Sequence, residues 1–284
     1  MTAQVSDATR SVPTVGPDPE FMRRRTVSPY VVTGVLLPLI IGTWFAVTNL
    51  GLISPILLPT PQSVVEALPR VIGARGFSDQ VMRTVSEVIL GFGLGALIGF
   101  GLGMLLSSSL RLRTAYLPFL SALEAIPTVI LAPLIITWFG FGIEGKVVQA
   151  AIACFYAVFI TTLSGLGLAD ANSVQLMRSL NASKWQIMRL LKIPAALPVI
   201  FGGLQLGATT AIIGAIVSEF VGANAGLGYL LQRYRSGFDT PAVWVIIGSF
   251  LVFGLIAYFI LWFAERKIVF WRAAAISRPD LEKQ

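Results

Sequence analysis

The sequence predicts an all-α membrane protein with six transmembrane helices. Of its 284 residues, 55% are hydrophobic and only 12% are charged, about half the charged share of soluble domains. Apolar stretches close to the ~20 residues that cross a bilayer also recur along the chain. These two observations exclude a soluble globular protein.

Six apolar stretches define the predicted transmembrane domain, residues 29–270, with spans at about 30–50, 86–106, 117–140, 147–168, 196–220 and 242–264. The third is interrupted by Pro118, Pro127 and Pro133. Proline removes a backbone donor that hydrocarbon cannot replace, so we expect this span to line a cavity or to lie against other protein. The polar residues 1–28 predict a disordered N-terminal tail, and residues 271–284 a C-terminal one.

The distribution of Lys and Arg predicts the orientation. Fifteen of the 21 basic residues lie in the N-terminal tail, residues 107–115, residues 169–195 and the C-terminal residues from Arg266 onward. The positive-inside rule therefore places both termini and the 169–195 loop in the cytoplasm. The net charge of +7 is explained by an anionic inner leaflet and requires no nucleic acid.

Four glycines in the second span follow at four-residue intervals: Gly91, Gly95, Gly99 and Gly103. This spacing places them on one face of a helix, where another backbone can approach closely. The stripe predicts a tight helix–helix contact, although glycine is also common in membrane helices generally.

The cytoplasmic segment 172–194 carries the most local sequence signals. A first short helix is expected to begin at Asn172 or Ser173 and to end near Leu180, because Asn181 adopts the left-handed conformation more readily than most residues. Ser183 and Gln186 form a capping-box pair that begins a second helix, which we expect Pro194 to end.

This helix–turn–helix exposes Leu176, Leu180 and Trp185. Such apolar side chains are typical of a docking surface for another protein. They are equally typical of an interfacial helix lying on the membrane. The residues alone leave both interpretations open.

Two acidic residues lie at membrane depth, where charge is costly and usually functional. Glu124 precedes Pro127 in the third span, and it is interpreted either as a packing residue paired with Arg111 or Arg113, or as part of a pathway. Glu219 lies near the outer end of the fifth span and predicts a position in a pathway, a gate or a dimer seam.

Several functional classes lack their residues here. The chain has no histidine, the commonest metal ligand and proton shuttle, and we predict no metal site and no catalytic residues. No G-x-x-x-x-G-K-[ST] loop occurs in the sequence, so the chain cannot hold ATP by that route. A stand-alone secondary transporter or channel is the alternative function, but few intramembrane charges and no visible inverted repeat argue against it.

The 172–194 loop resembles the E-A-A loop of binding-protein-dependent ABC importer permeases. On this chain the E-A-A positions are Gln175, Leu176 and Met177, the following glycine is Asn181, and the end of the motif falls on Leu191, Ile193 and Pro194. Only the proline is literally retained, and asparagine in place of glycine keeps the turn possible.

Other stretches between residues 57 and 270 resemble the nitrate, sulfonate and taurine branch of these permeases. They are L-P-T-P at 58–61, E-A-I-P at 124–127, A-P-L at 132–134, W-F-G-F-G at 138–142, E-F-V-G-A at 219–223 and G-L-G-Y-L at 226–230. Relatives in this branch carry different solutes, so the resemblance does not define the cargo.

The resemblance implies a type I ABC importer permease fold with cytoplasmic coupling helices in a prokaryotic inner membrane. It implies a second permease copy, two cytoplasmic ATPase subunits that bind ATP and Mg²⁺, and an external solute-binding protein. It also implies that this chain is not itself an enzyme, binds no cofactor, and transports a small polar or anionic solute. The ATPase-coupling residues carried over are Gln175, Leu176, Met177, Leu180, Asn181, Trp185, Leu191 and Pro194.

Overall fold

The computed structural model describes residues 29–222 and 224–271, and these form α-helices joined by short turns. The helices are α1 (Pro29–Asn49), α2 (Pro61–Ile72), α3 (Phe77–Ser107), α4 (Leu110–Glu124), α5 (Thr128–Phe139), α6 (Ile143–Gly165), α7 (Ala171–Ser179), α8 (Lys184–Ile187), α9 (Ile193–Gly222), α10 (Leu227–Ser236) and α11 (Thr240–Ile268). The predicted tail 1–28 lies outside the described residues, as do residues 272–284.

Two compact units divide the chain, one containing α1 and the other beginning at Ser54. Within the described residues, α3, α6, α9 and α11 are each long and apolar enough to cross a membrane. The pair α4 and α5 adds a fifth crossing if it is counted as one bent span. In α1, which corresponds to the predicted first span, the apolar part Gly34–Asn49 is shorter than a full crossing.

The predicted third span is broken. The axes of α4 and α5 differ by 89° across residues 125–127, and Pro127 caps α5 with an extended ψ of 119°. A residue before proline disfavours the helical conformation, which explains why the helix stops here rather than bending gently.

The centre of the second unit is the packing of α6 between α3 and α9. All four glycines of the predicted stripe are buried on the α3 face that contacts α6. A Cβ added at Gly99 would lie 2.6 Å from the carbonyl oxygen of Phe155, and one at Gly103 would lie 2.8 Å from Cβ of Thr162. The two backbones approach closely because these positions have no side chain.

Helices α2, α10 and α11 pack together at the end of this unit where α3 begins. Arg70 of α2 forms an ion pair with Asp239, the N-cap of α11, with 2.6 Å between Nη1 and Oδ2. The hydrogen bond and charge of Arg70 lower the pKa of Asp239. Thr240 donates a hydrogen bond to the carbonyl of Ile56 at 2.8 Å, which ties the segment before α2 to the start of α11.

Candidate functional site

The loop between α6 and α9 begins with a well-capped helix, α7. The carboxylate of Asp170 accepts hydrogen bonds from the backbone N–H and the hydroxyl of Ser173, at 2.8 and 2.9 Å. These bonds, the backbone one first, lower the pKa of Asp170. The cap begins α7 at Ala171, slightly earlier than the sequence predicts, because Asp170 supplies the acceptor.

The turn after α7 has the geometry that the sequence predicts. Asn181 has φ of +58°. Its N–H donates to the carbonyl of Arg178 at 3.0 Å, and the N–H of Ala182 donates to Met177 at 2.9 Å. This is the paired bonding of a Schellman motif, in which the left-handed residue satisfies the last carbonyls of the helix.

A capping box then begins α8. The hydroxyl of Ser183 accepts from the N–H of Gln186 at 3.2 Å, and the Gln186 side chain accepts from the N–H of Ser183 at 2.7 Å. Both helix ends at this turn are therefore satisfied within the loop. The turn is fixed by local bonds and needs no contact with a partner to hold its shape.

The turn presents apolar side chains outward. Leu176, Leu180 and Trp185 are 62%, 73% and 62% exposed. The remaining residues assigned to coupling are Gln175 and Asn181, which are exposed, and Met177, Leu191 and Pro194, which are half-buried. Exposed apolar groups held on a rigid turn form a surface of the kind that another protein covers.

The expectation that Pro194 ends the second helix is wrong. After Ile187 the chain makes a π-helical turn, Met188–Lys192, and continues directly into α9, where Pro194 is the second residue. The N–H of Ile193 donates to the carbonyl of Met188. This wide turn accommodates a proline, which has no N–H to donate, at the start of the long helix.

The loop is anchored to the bundle at the π turn. Met188 and Ile193 pack against a buried cluster formed by the end of α6, the start of α9 and side chains of α3. The other members of this cluster are Leu166, Ala196, Ile200, Leu204, Phe100 and Met104. Ile187 is also buried. The α7–α8 loop and α9 are therefore joined both by continuous helix and by packed side chains.

The break between α4 and α5 contains Glu124 and Pro127, both exposed on the chain. Neither ion pair within the described residues involves Glu124 with Arg111 or Arg113. The side-chain amide of Gln149 on α6 donates to the carbonyl of Thr128 at 2.7 Å, which fixes the start of α5. Exposed non-helical backbone inside a membrane domain must be covered by protein or face water.

Glu219 lies at the end of α9 farthest from the α7–α8 loop and is only 1% exposed. Its two carboxyl oxygens accept from the hydroxyl of Thr84 at 2.7 Å and from the N–H of Gly228 at 2.5 Å. Gly226 has φ of +115°, and a Cβ at Gly226 or Gly228 would collide with the Glu219 carboxyl. The segment 224–228 therefore folds directly over this side chain.

A buried ion pair lies beside Glu219. The ammonium of Lys146 on α6 donates to Glu87 of α3 at 2.7 Å and to the carbonyl of Ala225 at 3.1 Å. We call Thr84, Glu87, Lys146 and Glu219 the Glu219 cluster. Thr84 and Glu87 are three residues apart, so they share one face of α3.

Glu87 and Lys146 were missed as site residues in the sequence, although a signal was present. Glu87 precedes Gly91 by four residues, so it extends the glycine stripe by one turn toward the helix that the stripe contacts. An acidic residue on such a face commonly pairs with a cation on the partner helix. In the structure Lys146, at the start of the fourth predicted span, is the cation that pairs with Glu87.

A family model described as the binding-protein-dependent transport system inner membrane component matches residues 91–269. The chain belongs to this family. The sequence-based identification as an ABC importer permease is confirmed, and so is the all-α fold. The protein is a multi-pass inner-membrane permease subunit.

Curated relatives support the same assignment. The riboflavin transport system permease protein RibX of Chloroflexus aurantiacus is 35% identical over 240 residues, covering 84% of this chain and 90% of that protein. The putative aliphatic sulfonates transport permease protein SsuC of Bacillus subtilis is 32% identical over 240 residues, covering 84% of this chain and 87% of that protein. The taurine transport system permease protein TauC of Escherichia coli is 28% identical over 227 residues, covering 78% of this chain and 82% of that protein.

Solved structures share the fold. An inward-facing structure of the MetNI methionine ABC transporter gives a TM-score of 0.58 at 20% identity, covering 68% of this chain and 94% of that one. An amino acid ABC transporter gives 0.56 at 21% identity, with coverage of 72% and 97%. These likenesses establish a type I importer permease architecture.

Proposed function

We propose that this permease couples to two cytoplasmic ATPase subunits through the α7–α8 loop. The observation that carries the proposal is the exposed set Leu176, Leu180 and Trp185, held on a turn that is capped on both sides. ATP and Mg²⁺ then belong to the ATPase, and the chain itself is not catalytic. Both termini lie with this loop in the cytoplasm, as the basic residues predict.

The coupling surface is tested by placing charges in it. Leu180→Asp with Trp185→Asp should abolish solute uptake and ATPase co-purification, because each carboxylate would be desolvated in the apolar docking pocket. Leu57→Asp is the matched control for ATPase co-purification, since Leu57 is 75% exposed at the opposite end of the bundle. Normal uptake by the double variant would place the coupling surface elsewhere.

The second partner in the proposal is another copy of this chain. One face of α9 is uncovered along its length, although the other faces contact α3, α5, α6, α10 and α11. The exposed residues follow helical spacing: Gly202, Leu206, Thr209, Ile213 and Phe220. An exposed apolar face on a central helix suits packing against an identical helix across a two-fold axis.

Symmetric cross-linking tests the homodimer. Thr209→Cys should give a disulfide-linked dimer in membranes, because a two-fold axis brings equivalent residues together. Ile260→Cys, on the exposed face of α11, is the control and should remain monomeric on denaturing gels. Cys154 is fully buried and adds no background. Equal cross-linking at both positions would exclude α9 as the seam.

Between two such copies, the α4–α5 breaks would line the translocation pathway. Glu124 and Pro127 are exposed on the single chain and need either protein or water beside them. The solute is proposed to be small and polar or anionic and to be delivered by an external binding protein. The relatives named for riboflavin, aliphatic sulfonates and taurine support this range without selecting one member.

A further inference from the structure

The segment 224–228 is held at four consecutive residues. The carbonyl of Ala225 and the N–H groups of Gly226, Leu227 and Gly228 each bind a side chain from elsewhere in the chain. These side chains come from three different helices: Gln80 and Thr84 of α3, Lys146 of α6 and Glu219 of α9. The segment thereby joins the ends of the three helices that form the centre of the fold.

The Glu219 cluster contains two carboxyl groups and one ammonium group. The side chains of Lys146 and Glu87 are 8% and 3% exposed, and one oxygen of Glu87 has no hydrogen-bond partner within the described residues. The cost of removing ions from water offsets much of their mutual attraction. Such a cluster defines a geometry more than it adds stability.

Charged contacts of this kind suit a closure that must open. If the segment moves away, Lys146 and Glu87 regain water, and that hydration compensates for the lost hydrogen bond from Lys146 to the Ala225 carbonyl. An apolar plug in the same place would expose hydrophobic surface on opening, with no such compensation. Gly226 and Gly228 leave no side chain between the segment and Glu219, so the closed position is tight.

We propose that Lys146, held by Glu87, is the positioning residue of a gate formed by residues 224–228. In this conformation its ammonium fixes Ala225 across the ends of α3, α6 and α9. The gate closes the end of the permease opposite the α7–α8 loop, and it releases the segment when the transporter opens on that side. The inference rests on the proposed function, which places the ATPase at the other end.

The first test measures hydrogen exchange of the purified permease in nanodiscs. A single substitution would leave a buried charge without its partner and disturb folding, so the variant is the double Glu87→Gln, Lys146→Met. Exchange of the peptide covering 224–230 should become at least fivefold faster. Gln149→Met, which removes a buried polar group on the same helix, is the control and should leave that peptide unchanged.

Two outcomes would overturn the gate assignment at this stage. Exchange of the 224–230 peptide at the wild-type rate would show that Lys146 does not hold the segment. An equal increase in peptides from the middle of α3 and α9 would assign the ion pair to general stability of the bundle.

The second test uses the wild-type permease assembled with its ATPase and trapped with ATP and orthovanadate. Exchange at 224–230 should rise at least fivefold relative to the nucleotide-free complex, with no rise in α6. Equal exchange in the two states would show that the segment is a fixed clasp and not a gate. Failure of the ATPase to bind would refute the proposed coupling, whereas the first test needs only the permease.

Discussion

Adding a single methyl group at Gly99 should force α3 and α6 apart. The new Cβ in Gly99→Ala would lie 2.6 Å from the Phe155 carbonyl oxygen and 3.0 Å from the Phe159 nitrogen. Both are backbone atoms of α6, so no side-chain rotation relieves the overlap. Ordinary contact begins near 3.4 Å, and the helices must therefore separate by about 0.8 Å.

The energetic cost follows from the rest of the stripe. Separation at Gly99 also opens the contacts at Gly95 and Gly103, because all three face the same helix. Overpacking of this kind typically costs ~1–3 kcal/mol. In domains of 150–250 residues, each kcal/mol lowers the midpoint of thermal unfolding by roughly 2–4 °C.

Gly101→Ala is the matched control for this change. Gly101 lies two residues further along α3, and nothing is within 4 Å of its added Cβ. Alanine there adds a methyl group in open space and removes a helix-weakening glycine, worth up to ~1 kcal/mol. Thermal unfolding in detergent, followed by intrinsic fluorescence, compares the two variants. Equal midpoints for Gly99→Ala and Gly101→Ala would refute the account of the stripe as a packing face.

Three further predictions concern turns and termini. Phe238→Gly should raise the free energy of unfolding by roughly 0.5–1 kcal/mol, because Phe238 has φ of +56° and glycine adopts this conformation without the steric cost. A lower midpoint of thermal unfolding would show that the Phe238 ring makes stabilising contacts. Asp239→Asn keeps an N-cap oxygen but loses the Arg70 ion pair, at a cost below ~1 kcal/mol. The pKa of Asp239 is lowered in the folded state. Its contribution to the free energy of unfolding is therefore present above the ordinary pKa of about 4 and is lost as pH falls through the folded value. In this pH range the stability of Asp239→Asn should depend less on pH than that of the wild type, and an unchanged profile would contradict the ion pair. Asn181→Gly should retain ATPase binding in a pull-down while Asn181→Val loses it, since a β-branched residue resists the left-handed conformation; equal binding would show that the turn geometry is dispensable.

Local signals in the sequence were sufficient for the long apolar helices and for the turn between α7 and α8. The capping box at Ser183, the left-handed Asn181 and the glycine stripe each involve residues within one or two helical turns. Their geometry follows from backbone rules that need no knowledge of the remaining fold. The break at Pro127 belongs to the same class, since the residue before proline is restricted locally.

Contacts between distant residues were not predictable in the same way. The ion pair of Lys146 and Glu87 joins positions 59 residues apart, and nothing in either segment alone specifies the partner. The π turn before Pro194 is also a tertiary effect. Met188 and Ile193 pack on α6 and α3 side chains, and that packing favours continuing the helix where a proline would otherwise end it.

The long helix α9 connects the two candidate sites. It has 30 residues, about 45 Å at 1.5 Å per residue. It begins at the π turn that follows the α7–α8 loop and ends three residues after Glu219. Pro198 lies in its second turn, so the remainder up to Glu219 is uninterrupted α-helix packed along α6. Side chains packed along this length resist bending of the helix. Under the proposed coupling, a displacement of α8 would be carried along α9 to Glu219, and the bonds over the 224–228 segment are the contacts that such a shift would strain first.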